Sequence, residues 1–267
     1  MKKVFTISLL LLFSASIVSR AGEDGELKNF RFGVTALPSV FGYKPDDTKK
    51  FEKGGSAIGF GVLINAEWSF ASHAALGFGI GLGSSGGKID FLDTVQYYVN
   101  DGDILKLKDN KADLTGLSGK TDTFYLKTRT YKSSYYSLPI GLKMRTNEIG
   151  YMRYFLEPRL NIGIRKKVRA DDDVINVGGS TNVVQNQDLN ISTDMAAFRM
   201  SVTVSGGAEY AIAGSTAIVF SLGYDFGLSN VVQETSDNLL RIKDKVRKPL
   251  EQKFSQNGLT LAVGILF

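Results

Sequence analysis

Gly258-Leu259-Thr260-Leu261-Ala262-Val263-Gly264-Ile265-Leu266-Phe267 is the stretch that decides the fold. Side chains of an extended strand alternate between two faces with period two. Leu259, Leu261, Val263, Ile265 and Phe267 therefore share one face, which is bulky and apolar. Gly258, Thr260, Ala262, Gly264 and Leu266 share the other, which is mostly small or polar. A soluble sheet buries its larger face against a second layer. A transmembrane β-barrel turns that face to lipid and keeps the small and polar face inside. The choice depends on how often the pattern recurs.

It recurs seven more times. Phe30, Phe32, Val34 and Ala36 alternate with Arg31, Gly33, Thr35 and Leu37, and this strand ends near Pro38. Ser39 to Gly55 reads as a polar loop. The second strand places Ile58, Phe60, Val62, Ile64, Ala66, Trp68 and Phe70 outward, with Trp68 and Phe70 where an interfacial girdle belongs. A turn at Ala71-Ser72-His73 leads into Leu76 to Gly83, in which glycine holds each inward position and leaves room for large side chains from opposite strands. Ser84 to about Arg129 is a long segment that extends the flanking strands beyond the membrane.

The fourth strand turns Tyr136, Leu138, Ile140, Leu142 and Met144 outward, and Pro139 within it predicts a bulge or a break in the ladder. After the turn Thr146–Gly150, the fifth strand runs from Met152 to Arg165. Lys166 to about Thr193 is a second polar loop. The sixth strand, Phe198 to Tyr210, and the seventh, Ala217 to Leu228, are joined by Ala213-Gly214-Ser215. Asn230 to about Phe254 is the last long loop, where Leu239, Ile242 and Val246 have the spacing of a short helix before Pro249. Short turns follow strands two, four and six, and long segments follow one, three, five and seven. This asymmetry predicts an all-β fold: an eight-stranded antiparallel up-and-down transmembrane barrel with short periplasmic turns, four long extracellular loops and both termini in the periplasm. Closure removes exposed edges and satisfies backbone groups in lipid. A secreted β-sandwich is the competing architecture.

The start of the chain agrees with this location. Lys2 and Lys3 precede the apolar run Val4 to Val18, and Ser19-Arg20-Ala21 presents small residues around a cleavage point. Residues 1–21 read as a cleaved secretory signal and 22–267 as the barrel domain, an N-terminal anchor helix being the alternative. The absence of cysteine excludes a lipidated cysteine, disulfides and thiolate chemistry. Three of the 32 basic residues belong to this leader, leaving 29 against 27 acidic ones. The high pI is thus no argument for a nucleic-acid partner.

Tyr135-Tyr136-Ser137-Leu138-Pro139-Ile140-Gly141-Leu142-Lys143 resembles the Tyr-x-x-(Ile/Leu)-Pro-(Leu/Ile)-x-(Leu/Phe)-Lys stretch of PorT-like outer-membrane barrels of Bacteroidetes-type bacteria. That resemblance implies the barrel fold and an outer-membrane location; one family member serves a secretion and gliding-motility system. Phe267, preceded by Ile265, Val263 and Leu261, resembles the assembly signal that the barrel-assembly machinery reads.

The expected inward register collects Arg31, Glu67, Lys143, Arg145, Arg153, Glu157, Arg159, Arg199, Glu209 and Asp225. An eight-strand barrel has an interior that side chains fill, so these ten charges predict a lumen network, with a proton or ion path as the functional alternative. His73, the single histidine, falls in a periplasmic turn, away from the outer rim where barrel enzymes resemble one another in placing theirs. No catalytic residue, metal or cofactor is expected. Asp171-Asp172-Asp173 and Asn100-Asp101-Gly102-Asp103 are oxygen-rich but lack EF-hand spacing. The basic stretch Leu239 to Lys253 is suited to anionic lipopolysaccharide or to a protein partner. The chain reads as a monomeric, non-enzymatic outer-membrane barrel in contact with lipid and lipopolysaccharide, whose long loops bind a partner or support the envelope. A narrow channel is the runner-up, and an outer-rim enzyme comes third.

Overall fold

The structure is a computed structural model and describes residues 29–115, 120–177, 182–244 and 246–267. The expected signal, residues 1–21, lies outside the described residues. Among the described residues fourteen strands form in chain order: β1 (Phe30–Pro45), β2 (Phe51–Ala71), β3 (Ala74–Asn100), β4 (Asp103–Ile104), β5 (Leu107–Lys108), β6 (Lys111–Ala112), β7 (Thr121–Arg145), β8 (Met152–Asn176), β9 (Val183–Asn190), β10 (Phe198–Ala213), β11 (Thr216–Gly227), β12 (Thr235–Lys243), β13 (Val246–Glu251) and β14 (Phe254–Leu266). A single 3-10 turn, Ser192–Asp194, is the only helical element among the described residues.

The strand pairings are antiparallel. β1 pairs with β14 and β2, β2 with β3, β11 with β14 and β10, β8 with β10 and β7, and β3 also with β7. These eight long strands contain the eight segments expected from the alternation. The other six are short, and the sequence missed them because they lie in the segments assigned to loops.

The polar loops are the main correction. Ser39 to Gly55 is mostly strand, with β1 continuing to Pro45 and β2 starting at Phe51. β3 and β7 run through most of Ser84–Arg129, as anticipated. Lys166–Thr193 is the upper part of β8 followed by β9. The helical spacing around Leu239 belongs instead to the β12–β13 hairpin. Leu239 and Leu240 are both buried there, so the spacing came from apolar contacts of a strand and not from one face of a helix. Polar composition misled at these points because only one face of each extension is polar.

Pro139 causes a break without a shift. The β3–β7 ladder has no pairs at Gly79–Ile80 opposite Leu138–Pro139, and it resumes in the same register. On its other side Pro139 remains opposite Asn161. The inward glycines of β3 have two explanations. Gly77 faces the carboxylate of Glu157, as expected, and a Cβ there would sit 3.4 Å from Oε1. At Gly81, by contrast, a Cβ would lie 2.3 Å from the carbonyl oxygen of Val62. That glycine serves close approach of β2, which room for distant side chains does not explain.

The two faces of the sheet divide as the alternation requires. Phe60, Val62, Ile64, Phe220, Leu222, Leu261 and Ile265 are all exposed, in a band too large for a water-facing surface. The inner face carries two different fillings. Near the short turns it is charged. At the opposite end Tyr43, Phe51, Ile89, Tyr97, Leu126, Val168, Val174, Ile191, Met195, Leu239 and Phe254 form one apolar core.

Candidate functional site

The interior is built in tiers, which the register sets. Arg31 lies opposite Glu67 across β1–β2, so the two meet on the inner face. Arg31 Nη2 donates to Glu67 Oε1 at 2.6 Å and to Glu209 Oε2 at 2.8 Å. Lys143 Nζ donates to Glu67 Oε2 at 2.5 Å and Glu209 Oε1 at 2.9 Å. Arg145 Nη2 donates to Glu67 Oε1 at 2.5 Å and to Ser69 Oγ at 3.2 Å. Three cations thus share two carboxylates, all of them buried. Mutual pairing is what makes burial of so many charges tolerable.

Above this tier Glu157 and Arg159 form a two-pronged pair at 3.1 and 2.8 Å. Gly141 gives that pair its space, because a Cβ there would lie 2.7 Å from Glu157 Oε1. The next tier is Asp225, which accepts from Arg199 at 2.8 Å, Thr203 at 2.8 Å and Ser201 at 3.0 Å. Arg199 also stacks over Phe41 at 4.8 Å and Tyr135 at 5.9 Å. Between these tiers a cavity of about 110 Å³ is lined by Arg159, Asn161, Arg199 and Asp225 among others. It has room for a few waters.

Nine of the ten expected charges therefore meet in the interior. Arg153 is the exception in environment: it is half-buried beside the short turn and pairs with Glu148 at 2.5 Å. Of the expected assembly residues, Leu261, Val263, Ile265 and Phe267 are all exposed on the outer face, and Leu266 is buried. His73 is exposed in its turn, with Nδ1 2.7 Å from Ser72 Oγ. The acidic triplet is split by strand alternation within β8: Asp171 faces Lys132, Asp173 lies by Lys88, and Asp172 points inward. Asp101 and Gly102 form the tight β3–β4 turn, with φ of 48° and 85°.

The sequence missed a fourth charged group. Arg129 and Asp172 are fully buried in the apolar end, joined at 2.8 and 2.7 Å, with Asp194 3.8 Å from Arg129. Arg129 lies over the rings of Tyr97 and Tyr131. Burial pushes the Tyr97 and Tyr131 phenols up, and it does the same to the Asp194 carboxyl. Burial alone would lower Arg129, but Asp172 holds it above its ordinary value. A signal existed: the inner register Tyr135, Ser133, Tyr131, Arg129 continues unbroken past the point where the fourth strand was ended.

Asp194 also ties the long segments together. Its carboxylate accepts from Ser236 Oγ at 2.8 Å and from the Asp237 amide at 2.9 Å. Thr193 donates to Asn238 at 2.6 Å, and Asn238 reaches the Leu105 carbonyl at 3.4 Å. Arg165 donates to the carbonyls of Ser192 and Met195. The segments after β3, β8 and β11 thus pack as one cap over the inner face.

Solved structures of similar outline include Neisserial surface protein A (14% identity, 91% of this chain and 98% of that one, TM-score 0.40). They also include a major outer membrane protein of Thermus thermophilus (12%, 90% and 99%, TM-score 0.42) and Ail of Yersinia pestis (10%, 90% and 100%, TM-score 0.33). No curated protein matches the chain. The family model described as "outer membrane protein beta-barrel domain" matches residues 19–233, most of the sequence. The chain belongs to this family of all-β, antiparallel outer-membrane barrels.

Proposed function

We propose that this protein is a non-conducting, non-enzymatic barrel that carries a folded cap for binding a partner or supporting the envelope. The observation that carries this is occlusion at two separate levels, by the Arg31–Glu67–Lys143–Arg145–Glu209 network and by the apolar core under the long segments. In this reading the eight long strands close as an up-and-down barrel, which the β3–β7 pairing supports. Cleavage after Ala21 leaves both termini in the periplasm, the cap is extracellular, and the barrel is a monomer. Phe267 and the apolar face before it address the barrel-assembly machinery.

The PorT-like assignment remains part of the proposal, and the motif has a physical role that supports it. Tyr135 packs against Arg199, Gly141 admits Glu157, and Lys143 belongs to the charged tier. The test is twofold. Purified protein in planar bilayers should give no stable single-channel conductance, and a deletion strain should show a secretion or envelope defect that the intact chain restores. Steady conductance that responds to charge reversal at Arg159 would replace this reading with a channel.

A further inference from the structure

The β7–β8 wall carries an irregularity that the closed interior does not need. Ser134 pairs with Lys167 and Tyr135 with Arg165, so Lys166 is an extra residue in β8. A bulge of this kind re-aims side chains. Without it, Lys166 and Lys167 would alternate, and one of them would enter the interior. With it, both are exposed on the outer face. Their neighbours fix the height. Tyr136 and Ile164 lie opposite each other just below and belong to the exposed apolar band. Lys132 and Arg169 lie opposite each other just above. Lys166 Nζ sits 5.6 Å over the Tyr136 ring, an amphipathic arrangement suited to the border between lipid and water.

The four cations differ in their partners. Lys132 pairs with Asp171, and Arg169 approaches the exposed Asp188 at 3.6 Å. Neither Lys166 nor Lys167 has an ion pair among the described residues. Beside them runs an outer groove of about 490 Å³, whose lining includes Ser84, Thr130, Ser134, Lys132, Lys167 and Arg169. Hydroxyls and unpaired ammonium groups at the rim of a lipid-facing band complement a phosphate on a sugar headgroup.

We propose that this groove is a binding site for a phosphate-bearing glycolipid of the outer leaflet. Lys167, which lines the groove, and Lys166 beside it face the phosphate, and the hydroxyls of Ser134 and Thr130 face the sugar. Its acyl chains lie along the Tyr136–Ile164 band. The site rests on the proposed orientation, with the cap end outward, but it does not depend on whether the lumen conducts.

The test uses the full mature chain refolded in neutral detergent, with bis-phosphorylated lipid A as the probe. Lipid retained by the barrel is counted by native mass spectrometry, against lipid A stripped of both phosphates. Phosphorylated lipid should be retained in preference. Lys166→Gln with Lys167→Gln should lower retention by roughly thirtyfold, the combined effect of two lysines near an anionic surface. Lys108→Gln with Lys111→Gln, exposed on the β5–β6 hairpin, should leave it unchanged. Equal retention of phosphorylated and stripped lipid overturns the site, as does unchanged retention in the Lys166/Lys167 variant. Equal loss in both double variants also overturns it, because general charge would then suffice. Conductance of the Lys166/Lys167 variant, measured in parallel, separates failure of this site from failure of the closed-lumen reading.

Discussion

At the scale of single residues, the buried charges are unequal, and the bonding pattern says which matter most. Glu67 accepts from three cations, whereas Lys143 is one of three cations sharing two carboxylates. Glu67→Gln leaves Arg31, Lys143 and Arg145 with one carboxylate, and breaking a buried pair from one side costs about 3–5 kcal/mol. Lys143→Met leaves two cations and two carboxylates, so its loss should be clearly smaller; urea unfolding of the refolded barrel ranks the two. The same logic separates Asp172 from Asp194 in the cap. Asp172→Asn orphans Arg129 and should lower the melting temperature of the cap. Asp194 is different, because burial raises its pKa above the ordinary 3.8. A carboxyl whose folded pKa is raised binds its proton more readily in the folded state, so its contribution to stability falls as pH rises from about 3.8 to the raised value. The melting temperature of the native cap minus that of Asp194→Asn should therefore fall as pH rises through this window. A difference that grows with pH would reverse this assignment. Arg129 and Asp172 were invisible in the sequence as a pair because 43 positions separate them and nothing local marks them.

At the scale of elements, period-two alternation was legible wherever one face meets lipid, since each outward position there must be apolar. It was hard to read above the band. β1 beyond Pro38 keeps its alternation, with Tyr43 buried, but Lys44, Asp46 and Asp47 dominate the composition. The β12–β13 hairpin was mistaken for a helix because a short strand with one register irregularity has no clear period. The lipid-facing register itself can be tested on β2. Val62 is 44% exposed on the outer face, and Val62→Arg should destabilise insertion by about 2–4 kcal/mol. Gly61→Ser points inward, where a Cβ would lie 3.2 Å from the Leu82 carbonyl, and it should be much milder. Equal tolerance in a folding titration into lipid vesicles would mean the faces are exchanged. The last strand adds a prediction about assembly. Phe267 exchanges backbone hydrogen bonds with Phe32 at 2.8 and 2.9 Å, so it helps join β14 to β1 as well as ending the apolar face. Deleting it should reduce the heat-modifiable folded form in membranes and leave precursor in the periplasm. Normal membrane yield would remove Phe267 as the signal.

At the scale of the whole molecule, the chain is one wall with two fillings, and the fillings differ in kind. The charged tiers satisfy groups that the lipid forbids outside, while the apolar core lets the long segments fold above the band. This division determines which parts can be removed. Ile89, Phe91, Val95, Tyr97, Phe124 and Leu126 all belong to the cap core, so cutting back the whole of Ser84–Arg129 would expose that core. The outermost hairpin, β5–β6, is different. The Asp113 amide donates to the Lys106 carbonyl at 2.9 Å, so the two ends of that hairpin already meet. Excising 107–112 and joining Lys106 to Asp113 should leave the melting temperature and heat-modifiability of the barrel almost unchanged. If partner binding resides in the outermost tip, this excision abolishes the phenotype that the intact gene restores in a deletion strain. If the phenotype survives, the binding surface lies lower on the cap, on β9 or the β12–β13 hairpin. Because the two fillings occlude independently, neither this excision nor Lys143→Met should create conductance. A pore opened by either change alone would mean that one filling was closing the molecule unaided.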